Sequence, residues 1–335
     1  MTPKMTIRDA ADFLGIAEVQ VHKLLLDNDL PFSASQGKGR AIGLSHFSYS
    51  TAKKIFKLHQ SPKAIAFQIV KGGTGKTSIA SAFAVRANLY GLKVLCIDLD
   101  QQGNLSHTFE VDAESLPVMV DILAEDYAFT DAITNIYPGL DLIASRIENA
   151  LIDDVIKLKG LPLDQVYRTP FAKLKQDYDL IVIDCPPNLG QSVAAVTLAV
   201  DMVVSPVVPE NFALSGLKIT YNTIRELEEA YSTNIPFGIV LNKHDARTIL
   251  SQDALQTLIN HHNYRSNMLQ TYVRTSQEFP NAIANGQTIF DSVKPSIAKS
   301  DIDHLTREIL GLGSLPKNKN NNKTSRYLKL ENSLA

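Results

Sequence analysis

The chain of 335 residues contains no tryptophan, only two cysteines (Cys96 and Cys185) and 7% aromatic residues. Two cysteines so far apart cannot make a disulfide framework or a structural zinc site, and they predict a reducing compartment. Neither sign of charge is in excess: 33 Lys+Arg stand against 35 Asp+Glu, a net of -2. Any nucleic-acid contact must therefore use a local patch. Long hydrophobic runs are missing as well. The most apolar stretch, 193–209, is broken by Thr197, Asp201 and Ser205 and falls short of the roughly 20 residues that span a bilayer. The N-terminus carries acidic residues where a secretory signal has its apolar stretch, so a cytoplasmic protein is expected. At 44% apolar residues the chain is an ordinary globular one, long enough for one large domain or two.

Three zones are visible in what remains. In residues 1–60, helical spacing occurs twice, at Ile7, Ala10, Ala11, Leu14 and at Val19, Val21, Leu24, Leu25, with Gly15 at the turn. This predicts a small helix-turn-helix domain, winged by the Gly-rich segment that holds Lys38 and Arg40, with a further helix over about 50–59. Up to Pro62 there are eight basic residues against five acidic ones, a net of +3, so the basicity absent overall is concentrated here. In residues 61–313, apolar runs near 64–70, 93–98, 140–144, 179–184, 201–207 and 236–242 alternate with helical patterns. Such runs predict strands buried on both faces, in a doubly wound, mostly parallel α/β sheet. Residues 314–335 are polar and rich in Asn and Lys, and are expected to form a flexible tail.

The stretch KGGTGKTS, Lys71 to Ser78, follows an apolar strand and opens a helix. Gly72, Gly73 and Gly75 let the backbone around Thr74 curl its N–H groups inward, the helix N-terminus adds partial positive charge, and Lys76 reaches the phosphates. Thr77 places its hydroxyl on Mg²⁺. The usual pattern wants glycine at the position of Val70, and here a second lysine, Lys71, opens the loop: this is a deviant Walker A. At the end of the next strand, IDLDQQGN carries Asp98 and Asp100. Phosphoryl transfer to water needs a held Mg²⁺ and a group that positions the water; Asp98 suits the first role and Asp100 the second. VIDCPP ends a later strand on Asp184, a Walker B acid. Pro209 and Asn242 end two further strands where a nucleotide base would lie. Both cysteines read as buried apolar residues, and the adjacent His261 and His262 as surface residues pointing apart on a helix.

KGGTGKTS, IDLDQQGN, VIDCPP and PVVPENFALSGL together resemble the ParA/MinD family of deviant Walker ATPases, over about 63–313. The leading segment resembles that of the longer plasmid and chromosome partition ParA proteins. The resemblance implies an ATP-driven sandwich homodimer in which Lys71 crosses to the partner's nucleotide. It assigns Lys76 and Thr77 to phosphate and Mg²⁺, Asp100 to the attacking water, and Asp98 and Asp184 to the metal side. The family usually has proline after the second acid, where this chain has Gln101. The resemblance further implies non-specific DNA binding by the ATP dimer, stimulation by a ParB-type centromere-binding protein, nucleoid association without a membrane, and repression of its own operon through operator DNA. Candidate DNA contacts are Arg247, Arg265, Arg274 and Lys294 in the C-terminal half, and Gln20, His22, Lys23, Lys38 and Arg40 in the leading domain. The alternatives are a MinD-like membrane regulator, for which the tail offers only Tyr327, Leu328 and Leu330, and a small-molecule ATP-dependent ligase, which has no use for a DNA-binding domain.

Overall fold

The structure, a computed structural model, describes residues 3–34, 44–125, 127–210 and 213–313. The chain opens with a two-residue strand β1 (Met5–Thr6) and helices α1 (Ile7–Leu14) and α2 (Glu18–Asp27). Thr6 caps α1 by accepting from the Asp9 N–H, and Gly15, at φ 67°, ends it in the left-handed region that glycine adopts without steric cost. The turn to α2 is thus three residues long. Strand β2 (His46–Phe47) pairs antiparallel with β1 and sets α3 (Tyr49–Phe56) beside α1. The expected wing lies mostly in 35–43, outside the described residues. On α2 only Val21 and Leu25 are buried; Val19 and Leu24, expected inside, are 65% and 37% exposed. A helix packed on one side only hides a stripe at i, i+4, and these two residues flank that stripe.

Seven strands form the main sheet. They are β3 (Lys63–Phe67), β4 (Val94–Asp98), β5 (Ile133–Tyr137), β6 (Leu140–Ile143), β7 (Leu180–Asp184), β8 (Met202–Val207) and β9 (Phe237–Leu241), in the spatial order β5-β6-β4-β7-β3-β8-β9. All neighbours are parallel except β5 and β6. Six of the seven were expected. The seventh, β5, is a half-buried edge strand whose sequence, ITNIY, is too short and polar to announce itself. The helices are α4 (Lys76–Leu89), α5 (Asn104–Thr108), α6 (Met119–Glu125), α7 (Ile152–Leu158), α8 (Leu163–Val166), α9 (Arg168–Leu174), α10 (Gln191–Ala199), α11 (Ala213–Tyr231), α12 (Ile249–Asn260), α13 (Glu278–Ala284) and α14 (Ile297–Leu310). Among the described residues no helix is long and apolar enough to cross a membrane. His261 and His262 lie just beyond α12, so they do not diverge as helix neighbours would; their rings stack 4.9 Å apart, and His261 stacks on Tyr264 at 4.1 Å.

Helix α4 is buried nearly all round, since its alanines fit between the sheet on one side and α14 and α3 on the other. Its buried Arg86 meets Asp303 and, at 3.5 Å, Asp9. Arg307 on α14 meets Asp303 at 3.0 Å and Asp12 at 2.9 Å, while Tyr90 donates to Asp303. Phe13 packs on Tyr90 at 4.5 Å between ring centroids, under the Arg307 guanidinium. Gly91, at φ 87°, admits α3 so closely that a Cβ there would lie 2.6 Å from the Lys53 Cα. The leading helices thus share one continuous core with the sheet, and the change near residue 60 is one of element type, not a gap in packing. Burial alone would raise the Asp303 carboxyl, but Arg86 and Arg307 hold it below the usual carboxylate range. Arg86→Ala removes one partner of a buried ion network and should cost about 3–5 kcal/mol; urea unfolding of the full chain measures it, and an unshifted midpoint would show the network to be idle.

Candidate active site

In a parallel sheet the C-terminal strand ends lie at one edge, and a ligand binds where neighbouring connections diverge to opposite faces. Here β3 is that point, with β7 on one side and β8 on the other. It ends at Phe67, three residues before the expected Val70: Gln68 still donates to Val204 O of β8, but its carbonyl accepts from the Ser205 hydroxyl and the Val70 N–H goes to the Thr220 hydroxyl of α11. The loop then runs into α4 at Lys76. Gly73 and Gly75 have φ of 74° and 86°, a conformation that a side chain resists. Gly216 on α11 serves approach rather than conformation: a Cβ there would lie 2.8 Å from Val70 O and 3.2 Å from the Lys71 Cβ.

Above this loop opens a cleft of about 740 Å³. It is lined by Gly72, Gly73, Gly75, Lys76, Thr77, Ser78, Asp100 and Asn242, all named from the sequence; Asp100 and Asn242 come to it from beyond the ends of β4 and β9. Pro209 is not among its lining residues. The far wall, with Thr275, Phe279, Pro280 and Ile283, was not legible in the sequence; it belongs to α13 and the segment before it, which carry no motif, and Lys243, just past β9, adjoins it.

Both loop lysines rest on protein atoms. Lys76 donates to Lys71 O at 3.4 Å, and Lys71 pairs with Glu210 at 2.6 Å, which holds the Glu210 carboxyl below its usual range. Asn242, expected at the base, donates its amide N–H to Thr74 O at 2.7 Å and blocks any side chain at Gly75. It braces the loop, because a buried amide takes the nearest carbonyl.

Asp98 and Asp184 are register partners at the ends of β4 and β7, and both are fully buried. Burial raises the Asp98 carboxyl to about 7, against the lowering effect of its bonds from Ser106. Burial and the neighbouring Asp98 also push the Asp184 carboxyl well above the usual carboxylate range. Thr77 donates to Asp184 at 2.6 Å, and the other Asp184 oxygen is buried without a partner. A buried carboxylate with an open oxygen beside a hydroxyl fits a Mg²⁺ ion held with the phosphates of a nucleotide. Thr77 and Asp184 are the residues to hold it, and the ion would neutralise charge on the phosphates. Asp98 does not fit that role as well, since its two oxygens already accept from Asp100 N, Ser106 N and Ser106 Oγ. Asp100 lines the cleft directly, as a group that could align water must.

The candidate DNA contacts are dispersed over separate elements, and several are committed elsewhere. Arg274 makes a bidentate ion pair with Asp301 and lines the nucleotide cleft, so it is part of that wall. Gln20 folds back to accept from the Ala17 N–H at the start of α2, and the His22 ring packs edge-on against Phe32 at 5.1 Å. Arg247 is 89% exposed and pairs with Asp245 at 2.7 Å. Lys23, Arg265 and Lys294 lie on the surface. Lys38 and Arg40 lie outside the described residues.

The model for an AAA domain matches residues 62–237. The chain is 30% identical over 238 residues to the sporulation initiation inhibitor protein Soj of Bacillus subtilis, covering 68% of this chain and 90% of that protein. It is 28% identical over 250 residues to the chromosome-partitioning ATPase Soj of Treponema pallidum, covering 74% of this chain and 97% of the relative. Among solved structures, the ATP complex of Cyanothece McdA superposes with a TM-score of 0.68 at 19% identity, over 77% of this chain and 100% of that one, a likeness of fold. The matched region holds the glycine loop and the two aspartate-bearing strand ends, those of β4 and β7. The chain belongs to the ParA family of P-loop ATPases.

Proposed function

We propose that this ATPase is a DNA-partitioning switch. ATP with Mg²⁺ occupies the cleft and two copies close face to face, each Lys71 leaving Glu210 to reach the nucleotide of the other. The dimer binds DNA without sequence preference along the nucleoid. A ParB-type centromere-binding protein stimulates hydrolysis and releases it, so that a plasmid or chromosome is moved by cycles of attachment. The observation that carries the reading is the pair of lysines, Lys71 and Lys76, at the two ends of one glycine loop. One lysine suffices for a nucleotide bound within a single chain, and the second gains a purpose if it serves another copy. The partition names of the relatives support the same reading.

In this scheme α1 and α2 form a helix-turn-helix that reads the operator of its own operon. Its tight Gly15 turn and local excess of basic residues support that role, and Lys23 is the exposed basic residue of α2. The chemistry of each turnover is a water attack on the terminal phosphate, with Lys76 and the loop N–H groups stabilising the charge that develops there, and Asp100 orienting the water.

The test is binding of duplex DNA of arbitrary sequence with no nucleotide, with ADP and with a non-hydrolysable ATP analogue, across a salt series. Phosphate contacts release counterions, so affinity should fall steeply with salt, and binding should require the ATP analogue. Absence of binding in all three states would overturn the partition reading and favour a ligase or a membrane-bound regulator.

A further inference from the structure

Behind Asp100 runs a buried chain of polar groups that never enters the cleft. Asp98 grips the switch loop at two points: its Oδ1 accepts from the Asp100 N–H at 3.2 Å, and its Oδ2 accepts from both the N–H and the hydroxyl of Ser106 at 2.8 Å. The Ser106 hydroxyl accepts in turn from the Ser145 N–H at 2.9 Å. The Ser145 hydroxyl donates to the Asp100 carbonyl at 2.7 Å and accepts from the Asn149 amide at 2.7 Å, and Asn149 Oδ1 accepts from the Val120 N–H at 3.0 Å. Ser106, Ser145 and Asn149 are 2%, 4% and 5% exposed. Backbone packing reinforces the contact, for a Cβ at Gly103 would lie 3.1 Å from Ser145 O.

The residue that must align water is thus held at its N–H by one strand end and at its carbonyl by another, β4 and β6 respectively. A loop without such restraint samples many positions, and water activation is sensitive to errors well under an ångström. A buried network is rigid when each member is satisfied, and here each named hydroxyl, amide and carboxylate oxygen has a partner. None of Ser106, Ser145 or Asn149 lines the cleft, so none can contact nucleotide or water there.

We infer that Ser145 and Asn149, acting with Asp98 and Ser106, are positioning residues that set Asp100 for hydrolysis. The inference rests on the reading of Asp100 as the water-orienting acid. It separates the two acids of IDLD: Asp100 faces the reaction, and Asp98 anchors the loop that carries it. Substrate binding, which uses the glycine loop on the other side of β7, is independent of the chain.

The experiment compares Ser145→Ala and the isosteric Asn149→Asp in the full chain, alone and combined with Asp100→Ala. Losing two buried hydrogen bonds at Ser145, or the one that the Asn149 amide donates, should lower kcat roughly 10-fold, with KM for ATP and equilibrium binding of a fluorescent ATP analogue unchanged. In the Asp100→Ala background neither substitution should lower the residual rate further, whereas a general loss of structure would act in both. If Ser145→Ala does not fold, Asn149→Asp, which keeps volume and shape, carries the test. Unchanged kcat in the folded single variants, with Asp100→Ala inactive, overturns the positioning role alone. An equal loss with and without Asp100 also overturns it. Wild-type turnover by Asp100→Ala would overturn the reading of Asp100 and the inference with it.

Discussion

Lys76→Ala should slow ATP hydrolysis by about 10²–10³-fold and weaken nucleotide binding. Lys76 is the buried ammonium at the first turn of α4, above a loop whose only other lysine, Lys71, is turned away to Glu210. It donates to the Lys71 carbonyl at 3.4 Å, a long bond that a phosphate oxygen can replace by a shorter charge-assisted one. Removing a positive group aimed at developing phosphate charge costs about 10²–10³-fold in rate, and loss of a charged hydrogen bond about 1.5–3 kcal/mol in binding. The fold should survive, because alanine is the best helix former, and the buried Asp184 carboxyl, which loses the nearby Lys76 charge, keeps its bond from the Thr77 hydroxyl. Turnover by phosphate release and titration of a fluorescent ATP analogue measure the two effects. Wild-type affinity in the variant would remove Lys76 from the phosphate site.

The second large effect separates binding from hydrolysis. Asp100→Ala should retain ATP and lose turnover by about 10²–10⁴-fold, the range spanned by a positioned acid or base. Asp100 is 6% exposed, and one of its oxygens accepts from the Gln102 N–H at 3.1 Å, which fixes its rotamer without filling its remaining acceptor sites. Asp98→Ala should be the more damaging to structure, as it strands three donors and the Ser106–Ser145 links behind them. A variant at Asp100 with unimpaired phosphate release would transfer the water-orienting role elsewhere.

The elements that bear chemistry were the legible ones. Ile-, Val- and Leu-rich runs ending in Asp98, Asp184 or Asn242 can hardly be anything but buried parallel strands, and a glycine loop between strand and helix has few other uses. Exact ends escaped because a strand end is decided by partners far away: β3 stops at Phe67 once the Ser205 and Thr220 hydroxyls claim the Gln68 carbonyl and the Val70 N–H. The far wall of the cleft around Phe279 and Pro280 was hidden for the opposite reason, since apolar packing without a motif resembles any loop. Asn242 shows a third limit. Its identity and strand-end position were readable, yet the choice between base and loop carbonyl is made by a neighbour 168 positions away. Likewise Arg274 reads as a free cation until Asp301 is placed against it, and Val19 and Leu24 as core until the narrow buried stripe of α2 is seen.

The central claim is that ATP, and ATP alone, joins two copies of this chain across the face that carries Lys71. Sedimentation velocity of Asp100→Ala with Mg²⁺ and either ADP or ATP tests it most directly, because hydrolysis cannot empty the site during the run. The account predicts monomer mass with ADP and a shift to dimer mass with ATP that is lost when Lys71 is also replaced by alanine. Monomer mass with saturating ATP, or a dimer indifferent to nucleotide and to Lys71, would contradict it.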